Sequence, residues 1–410
     1  MENNTIKSSS SFKSYVVFWI GQLFSLLGSS ISQFAIIWWL TEASGSPLIL
    51  SMASFFNILP MTIAMPIAGV LADRINRKKI IIIADSCNAF TILFLIFLFN
   101  FGLINPILII ITNGFLGLFQ GFHAPTVSAI VPTMVPKDKL SRMNGFNFLL
   151  TGFMQIVGPV IASMLLAFIP IGILLWIDPL TFVIALIPLI LIKIPSVRKE
   201  DATAKNVSFI GDFKEGFRTL RLIPALFLML LVSMFINFLW RPYGVLLPYF
   251  ILFVHAGSAS NLALVMALMN FGMFLGALLS TIKKEWKHST SFYFGGELFL
   301  MIVYAIFAVI PHGLFIMMGI TAAFLGFIIP IMNTIYLTIM QLKVPADKMG
   351  RVSSIDWMIS LIISPIATIL TGPLAELIGV TNLYLSTALL GIIIAIIFWW
   401  IAHVKLSKKD

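Results

Sequence analysis

Four ionisable residues, Asp85, Asp178, Arg241 and Glu297, lie inside long apolar runs of the chain. A charge in such surroundings is costly. Each is therefore expected to pair with an opposite charge, hold a charged group of a ligand, or take up and release a proton. Asn237, Trp240, Arg241 and Gly244 follow one another at i, i+3, i+4 and i+7, which is one face of a helix. Hydrolytic, redox and nucleotide-driven chemistry find no support. There is no nucleophile–base set, no metal-ligand cluster and no phosphate-cradling glycine loop, and the one cysteine, Cys87, rules out an intrachain disulfide. The residues fit binding and proton transfer without an enzyme, metal or cofactor.

The elements that position these groups follow from composition. Of 410 residues, 60% are hydrophobic and 10% charged, too little polar surface for a water-soluble domain of this length. A bilayer core about 30 Å thick needs about 20 mostly apolar residues per helix. Twelve such runs are expected near 15–41, 47–72, 79–100, 106–131, 143–169, 172–192, 223–252, 259–282, 290–310, 313–341, 352–376 and 382–403. The runs are continuous, not alternating ten-residue segments, so they are helices and not barrel strands. Met1 to Ser14 lacks a charged n-region and a small-residue cleavage site, and is expected to remain as a tail before span 1.

The basic residues give the orientation. Twenty-five of the 26 lysines and arginines fall in the tails and in every second loop, and the opposite loops carry none. Cytoplasmic loops are enriched in Lys and Arg. Both tails (1–14 and 404–410) and the long polar loop 193–222 are thus expected in the cytoplasm, facing an anionic inner leaflet and not nucleic acid. Arg241, the exception, lies about 27 Å along span 7 at 1.5 Å per residue. Asp178 lies at a comparable depth in span 6. The two are expected to pair, or Arg241 to bind an anionic substrate group; an outward-snorkelling arginine is the alternative. Glu297 is read as a proton or cation site, or as a helix-packing carboxylate. Asp85 and His123 are read as structural, with Asp85 a further candidate for coupling.

The loop 193–222 separates a six-span half (15–192) from a second (223–403), and the halves echo each other. Val135-Pro136-Lys137-Asp138-Lys139 through Arg142 recurs as Val344-Pro345-Ala346-Asp347-Lys348 through Arg351. Gly121-Phe122-x-x-Pro125 recurs as Gly326-Phe327-x-x-Pro330, and Gly69-x-Leu71 as Gly276-x-Leu278. Three echoes at near-constant offset mean internal duplication, and pseudo-symmetric halves with substrate bound between them are a transporter architecture.

Between spans 2 and 3 the chain reads Gly69-Val70-Leu71-Ala72-Asp73-Arg74-Ile75-Asn76-Arg77-Lys78-Lys79. With the twelve-span, 6+6 layout, this resembles the major facilitator superfamily and its signature at that loop. Asn76 stands where the family has glycine, and a left-handed turn is expected there because Asn tolerates one. The resemblance implies that Gly69, Asp73, Arg74 and Arg77 form a gate, Asp73 docking against the start of span 11 with Arg351 as counter-charge. It also implies that spans 1, 4, 7 and 10 line a substrate cavity. On that basis Ser29, Gln33, Gln120, Asn237, Trp240, Arg241, Asn333 and Tyr336 are the expected substrate contacts, each with a helix–helix hydrogen bond as its alternative. Trp19-x-Gly21-Gln22, Leu40-Thr41-Glu42 and Phe122-His123-Ala124-Pro125 are similar to macrolide-efflux-type exporters. Gly158-Pro159-Val160-Ile161-Ala162 resembles the antiporter motif of span 5, with Ala162 in place of glycine. The resemblance implies a monomeric exporter of small hydrophobic or amphipathic compounds, driven by a proton gradient. Span 4 lacks the arginine of many proton antiporters, so Asp178, Glu297 or Asp85 would have to titrate. Uptake of a small solute and lipid movement remain the competing readings.

Overall fold

The computed structural model describes residues 2–192, 209–283, 286, 288–345 and 348–406. Among them every regular element is helical: α1 Glu2–Ser44, α2 Pro47–Arg74, α3 Arg77–Asn100, α4 Pro106–Met134, α5 Lys137–Leu166, α6 Ile171–Leu174, α7 Ile177–Leu191, α8 Phe209–Leu222, α9 Pro224–Tyr249, α10 Ala259–Ile282, α11 Ser289–Ala308, α12 Phe315–Lys343, α13 Met349–Ile378 and α14 Val380–Leu406. Eleven described stretches are long and apolar enough to cross a bilayer. The span expected at 352–376 is α13, whose apolar part Ile362–Ile378 is described as a shorter stretch. The chain is an all-α, multi-pass membrane protein.

Local chemistry sets the helix ends. Gly45, in the left-handed region at φ +55°, ends α1, and the Ser46 side chain accepts from Ile49 N to start α2. Asn105 does the same for α4 ahead of Pro106. Such caps satisfy amide groups that have no partner within the helix. Asn76 overturns an expectation. It is not left-handed but extended, at φ −60° and ψ 115°, and its side chain accepts from Lys78 N to cap α3. A capping side chain, not a tolerant backbone, explains how the loop is built without glycine.

Two further features concern segmentation. Span 6 is one apolar stretch, Ile171–Leu191, built from α6 and α7 with a break at Leu175–Trp176, which places Asp178 in the first turn of α7. The second part of the expected loop 193–222 is the helix α8; residues 193–208 lie outside the described residues. α8 buries Thr219 and Leu220 and brings Gly216 against Ile355 and the Arg351 carbonyl of α13.

The chain divides into two compact units, Met1–Ala202 and Thr203–Asp410. In the first, α2 packs closely on α4, and α1 on α7 and α5. In the second, α10 packs on α12, and α11 on α14, α12 and α9. Glycines permit these approaches. A Cβ at Gly117 would stand 1.9 Å from the Asn57 carbonyl oxygen, and one at Gly326 would stand 2.0 Å from that of Met269. Small residues let helices in lipid pack backbone to backbone. The repeated Gly121 and Gly326 are both of this kind, Gly121 meeting Met61 and Ala64. The third echo is not equivalent: Gly276 presses on Phe327, whereas Gly69 has open space around its missing Cβ.

Candidate functional site

In the second unit, α9 and α13 enclose a cavity of about 200 Å³. Its α9 wall is Leu230, Ser233, Met234, Asn237, Trp240 and Arg241, and its α13 wall is Ile359, Ile363 and Ser364. The i, i+3, i+4 face read from the sequence therefore lines a real concavity, extended one turn to Ser233. Arg241 Nε donates to Thr368 Oγ1 at 2.7 Å, and Thr368 donates in turn to the Ser364 carbonyl at 2.8 Å. Thr368 is fully buried, so the guanidinium is held from behind by a fixed acceptor. Within its own unit Arg241 is thus held by Thr368, as Asp178 is held by Ser29 in the first. Trp240 is held as firmly. It stacks on Tyr243 (4.4 Å between centroids, 21°) and meets the edge of Tyr304, within an aromatic cluster that includes Phe250, Phe307 and Tyr384.

Asn237 and Ser233 form a polar pair on the cavity wall. Asn237 Nδ2 donates to the Ser233 carbonyl at 2.9 Å and lies 3.4 Å from Ser233 Oγ. Glu297 is 4% exposed, and no cation pairs with it among the described residues. It is buried within the unit. Tyr336 donates to Asp356 Oδ1 at 2.8 Å and packs against the Tyr293 ring. α13 begins at Met349, so Asp356 lies about two turns in, where it accepts from Tyr336. Asn333, on α12, is exposed.

The first unit satisfies its own buried carboxylates. Ser29 Oγ donates to Asp178 Oδ1 at 2.9 Å, and the α7 N-terminus favours the anion. Gly28 makes this possible, since a Cβ there would collide with Thr181 and approach the Asp178 backbone. Asp85 on α3 pairs with His123 Nδ1 on α4. Gly158 lies against Ser30 of α1, while Ala162 is fully buried, so the Gly158-Pro159 segment is a close-packing surface on α5. Gln33 is exposed and Gln120 half-buried.

A family model described as Major Facilitator Superfamily matches residues 18–368. The chain belongs to the Major Facilitator Superfamily. It is 29% identical over 385 residues to Macrolide efflux protein A of Streptococcus pyogenes, covering 93% of this chain and 94% of that one. It is 22% identical over 372 residues to the Multidrug efflux pump Tap of Mycolicibacterium fortuitum, covering 88% and 89%. Among solved structures, a nucleoside transporter aligns with a TM-score of 0.74 at 12% identity, covering 93% of this chain and 98% of the other. The Major Facilitator fold and a transporter, not an enzyme, follow from these matches.

The Major Facilitator signature between α2 and α3 works here as a clamp on helix ends. Arg77 donates through Nε to the Ala72 carbonyl (3.0 Å) and through Nη1 to that of Ala129 (2.8 Å). Lys78 Nζ donates to the Ile192 carbonyl at 2.9 Å. These cations meet the negative C-terminal ends of α2, α4 and α7, where the helix dipole favours them. The side chains of Asp73 and Arg74 lie outside the described residues. Arg351, expected as the Asp73 counter-charge, donates to Glu215 of α8 at 2.8 Å, with Lys348 at 3.6 Å from the same carboxylate.

The sequence reading missed Ser233 and Thr368. Ser233 is i−4 to Asn237, a spacing that marks a shared face. Thr368 carries no such signal, because its partner is 127 residues away.

Proposed function

We propose that this protein exports small hydrophobic or amphipathic compounds of the macrolide and multidrug class in exchange for protons. The observation that carries this reading is the α9–α13 cavity. It combines a guanidinium fixed by Thr368, a clamped indole and an aliphatic wall of Leu230, Met234, Ile359 and Ile363. About 200 Å³ is less than a whole drug-sized ligand fills, so the indole face and aliphatic side chains suit an apolar portion of such a compound, while Arg241, Asn237 and Ser233 suit its carbonyl and hydroxyl groups. The names of the relatives, macrolide efflux and multidrug efflux, support the same substrate class and the outward direction. Both tails and the basic loops then lie at the anionic cytoplasmic face of the cell membrane, and a monomer driven by the proton gradient suffices, with no cofactor and no nucleic acid.

The test is accumulation of radiolabelled erythromycin in susceptible cells that express the chain. Export lowers the steady-state level, and a protonophore restores it. Unchanged accumulation with protein present in the membrane would overturn the reading.

A further inference from the structure

We propose that Asp356 is the anionic pole of the binding site, its carboxylate receiving the ammonium group of a cationic amphiphile whose apolar portion lies in the α9–α13 cavity. The proposal rests on the export reading above and narrows its substrate class to compounds that carry a basic amine. Asp356, Ile359 and Ile363 stand at i, i+3 and i+7, which is one face of α13. Ile359 and Ile363 form the cavity wall, so Asp356 continues that wall by one turn.

The register of the two helices decides which end of the cavity it marks. Arg241 meets Thr368, and the lining runs back from that contact to Leu230 on α9 and to Ile359 on α13. The helices therefore lie side by side in the same direction. Asp356 precedes Thr368 by twelve residues, about 18 Å at 1.5 Å per residue, and Leu230 precedes Arg241 by eleven. Asp356 thus stands level with Leu230, at the end opposite the guanidinium. Between the two charges the walls are mainly aliphatic, from Leu230, Met234, Ile359 and Ile363. Such a site matches an elongated molecule with an amine at one end, an apolar middle and a carbonyl at the other.

The carboxylate is held but not neutralised. Tyr336 of α12 donates to Oδ1 at 2.8 Å, and Oδ2 accepts no hydrogen bond among the described residues. No cation among them pairs with Asp356, and a charge within a membrane helix is costly until it is paired. The basic groups earlier on α13 are committed elsewhere: Arg351 donates to Glu215 at 2.8 Å, and Lys348 is 3.6 Å from the same carboxylate. Tyr336 is itself buried and packs against the Tyr293 ring at 6.1 Å between centroids, so it fixes one orientation of the carboxylate. Asp356 is half-buried, not sealed, which leaves its second oxygen to a ligand. An ammonium group, which donates and carries the opposite charge, completes it.

The experiment compares two matched macrolides binding to the purified full-length protein at neutral pH. One is erythromycin, whose dimethylamino nitrogen is protonated. The other is the same compound demethylated and acetylated at that nitrogen, which keeps the body and removes the charge. Wild type is expected to bind the charged compound about ten- to a hundredfold more tightly, the worth of a charge-assisted hydrogen bond. Asp356→Asn is expected to lose this preference while binding the neutral compound as wild type does, which also shows that the variant is folded. Asp356→Glu should keep the preference, and Tyr336→Phe should weaken it in part. A preference that survives in Asp356→Asn overturns the proposal. A second measurement needs neither a variant nor a macrolide: labelling of Asp356 by a hydrophobic carbodiimide, located by mass spectrometry. Dodecyltrimethylammonium is expected to protect Asp356, and dodecanol, the same chain without the charge, to leave it reactive. Labelling that is indifferent to the cation, or equal protection by both chains, refutes the anionic pole. If wild type binds neither macrolide, the macrolide export reading fails while the protection experiment still decides the role of Asp356.

Discussion

Replacing glycines one at a time by alanine measures how far the fold depends on backbone contact between helices, and the structure grades the outcome. At Gly326 a Cβ would stand 2.0 Å from the Met269 carbonyl oxygen and 3.1 Å from Met273 N, atoms of a helix backbone that no rotamer change can move. The contact floor is 3.0 Å, so α10 and α12 must part by about 1 Å along their seam, beyond the reach of ordinary side-chain repacking. At Gly121 the nearest atoms, Ala64 Cβ and the Met61 carbonyl oxygen, are both at 2.7 Å, so a shift of about 0.3 Å suffices, within the usual overpacking cost of about 1–3 kcal/mol. At Gly152 nothing lies within 4 Å, and alanine gains up to about 1 kcal/mol of helix propensity. Thermal unfolding of each purified variant in detergent is the assay. At about 2–4 °C per kcal/mol for units of this size, Gly152→Ala is expected at or slightly above wild type. Gly121→Ala should fall several degrees below it, and Gly326→Ala lower still or lost at expression. A Gly326→Ala protein as stable as Gly152→Ala would refute the reasoning that backbone contact along α10–α12 holds the second unit together.

Other outcomes follow from single contacts. Ser29→Ala leaves a buried carboxylate without its donor and is expected to cost about 1–3 kcal/mol; Asp178→Asn should recover most of it, read as the melting temperatures of the single and double variants. Asn76→Ala removes the α3 cap and is expected to cost about 1 kcal/mol, whereas Asn76→Gly costs only a few tenths; an Asn76→Gly protein more stable than wild type would instead mark a left-handed backbone there. His255, beyond the end of its span, is buried and faces His312, and both effects hold its pKa below 6.5. The unfolded chain therefore binds the extra proton first, so stability is fully present above pH 6.5 and is lost as pH falls below it. His255→Phe is expected to flatten that acid limb in pH-dependent melting, and an unchanged limb would exclude the histidine as its source.

Hydrophobic run length placed the spans because bilayer thickness is a constraint each span must meet alone. The i, i+4 face of α9 was legible for a related reason: helical periodicity is local, so Asn237, Trp240 and Arg241 had to share a side. What could not be read was which distant residue completes each group. Arg241 and Asp178 at similar depth looked like natural partners. Within their own units Arg241 meets Thr368 and Asp178 meets Ser29, and a neutral hydroxyl satisfies a buried charge as a hydrogen-bond partner. The helix α8 stood apart from the spans because it is amphipathic, with Phe209, Phe213, Phe217 and Leu220 at helical spacing among charges, and hydrophobic run length alone does not register such a helix. Asn76 was misread because a capping side chain and a left-handed backbone favour the same residue type.

The measurement that bears most directly on proton-driven export through the α9–α13 cavity is macrolide flux in proteoliposomes under an imposed pH gradient, with wild type and Arg241→Ala side by side. Wild type is expected to move erythromycin uphill against its gradient and to stop when a protonophore collapses the pH difference. Arg241→Ala, purified to the same yield, should lose about ten- to a hundredfold in apparent affinity if a charge-assisted hydrogen bond of about 1.5–3 kcal/mol is removed. Equilibration that ignores the pH gradient, or uphill flux undiminished in Arg241→Ala, would contradict it.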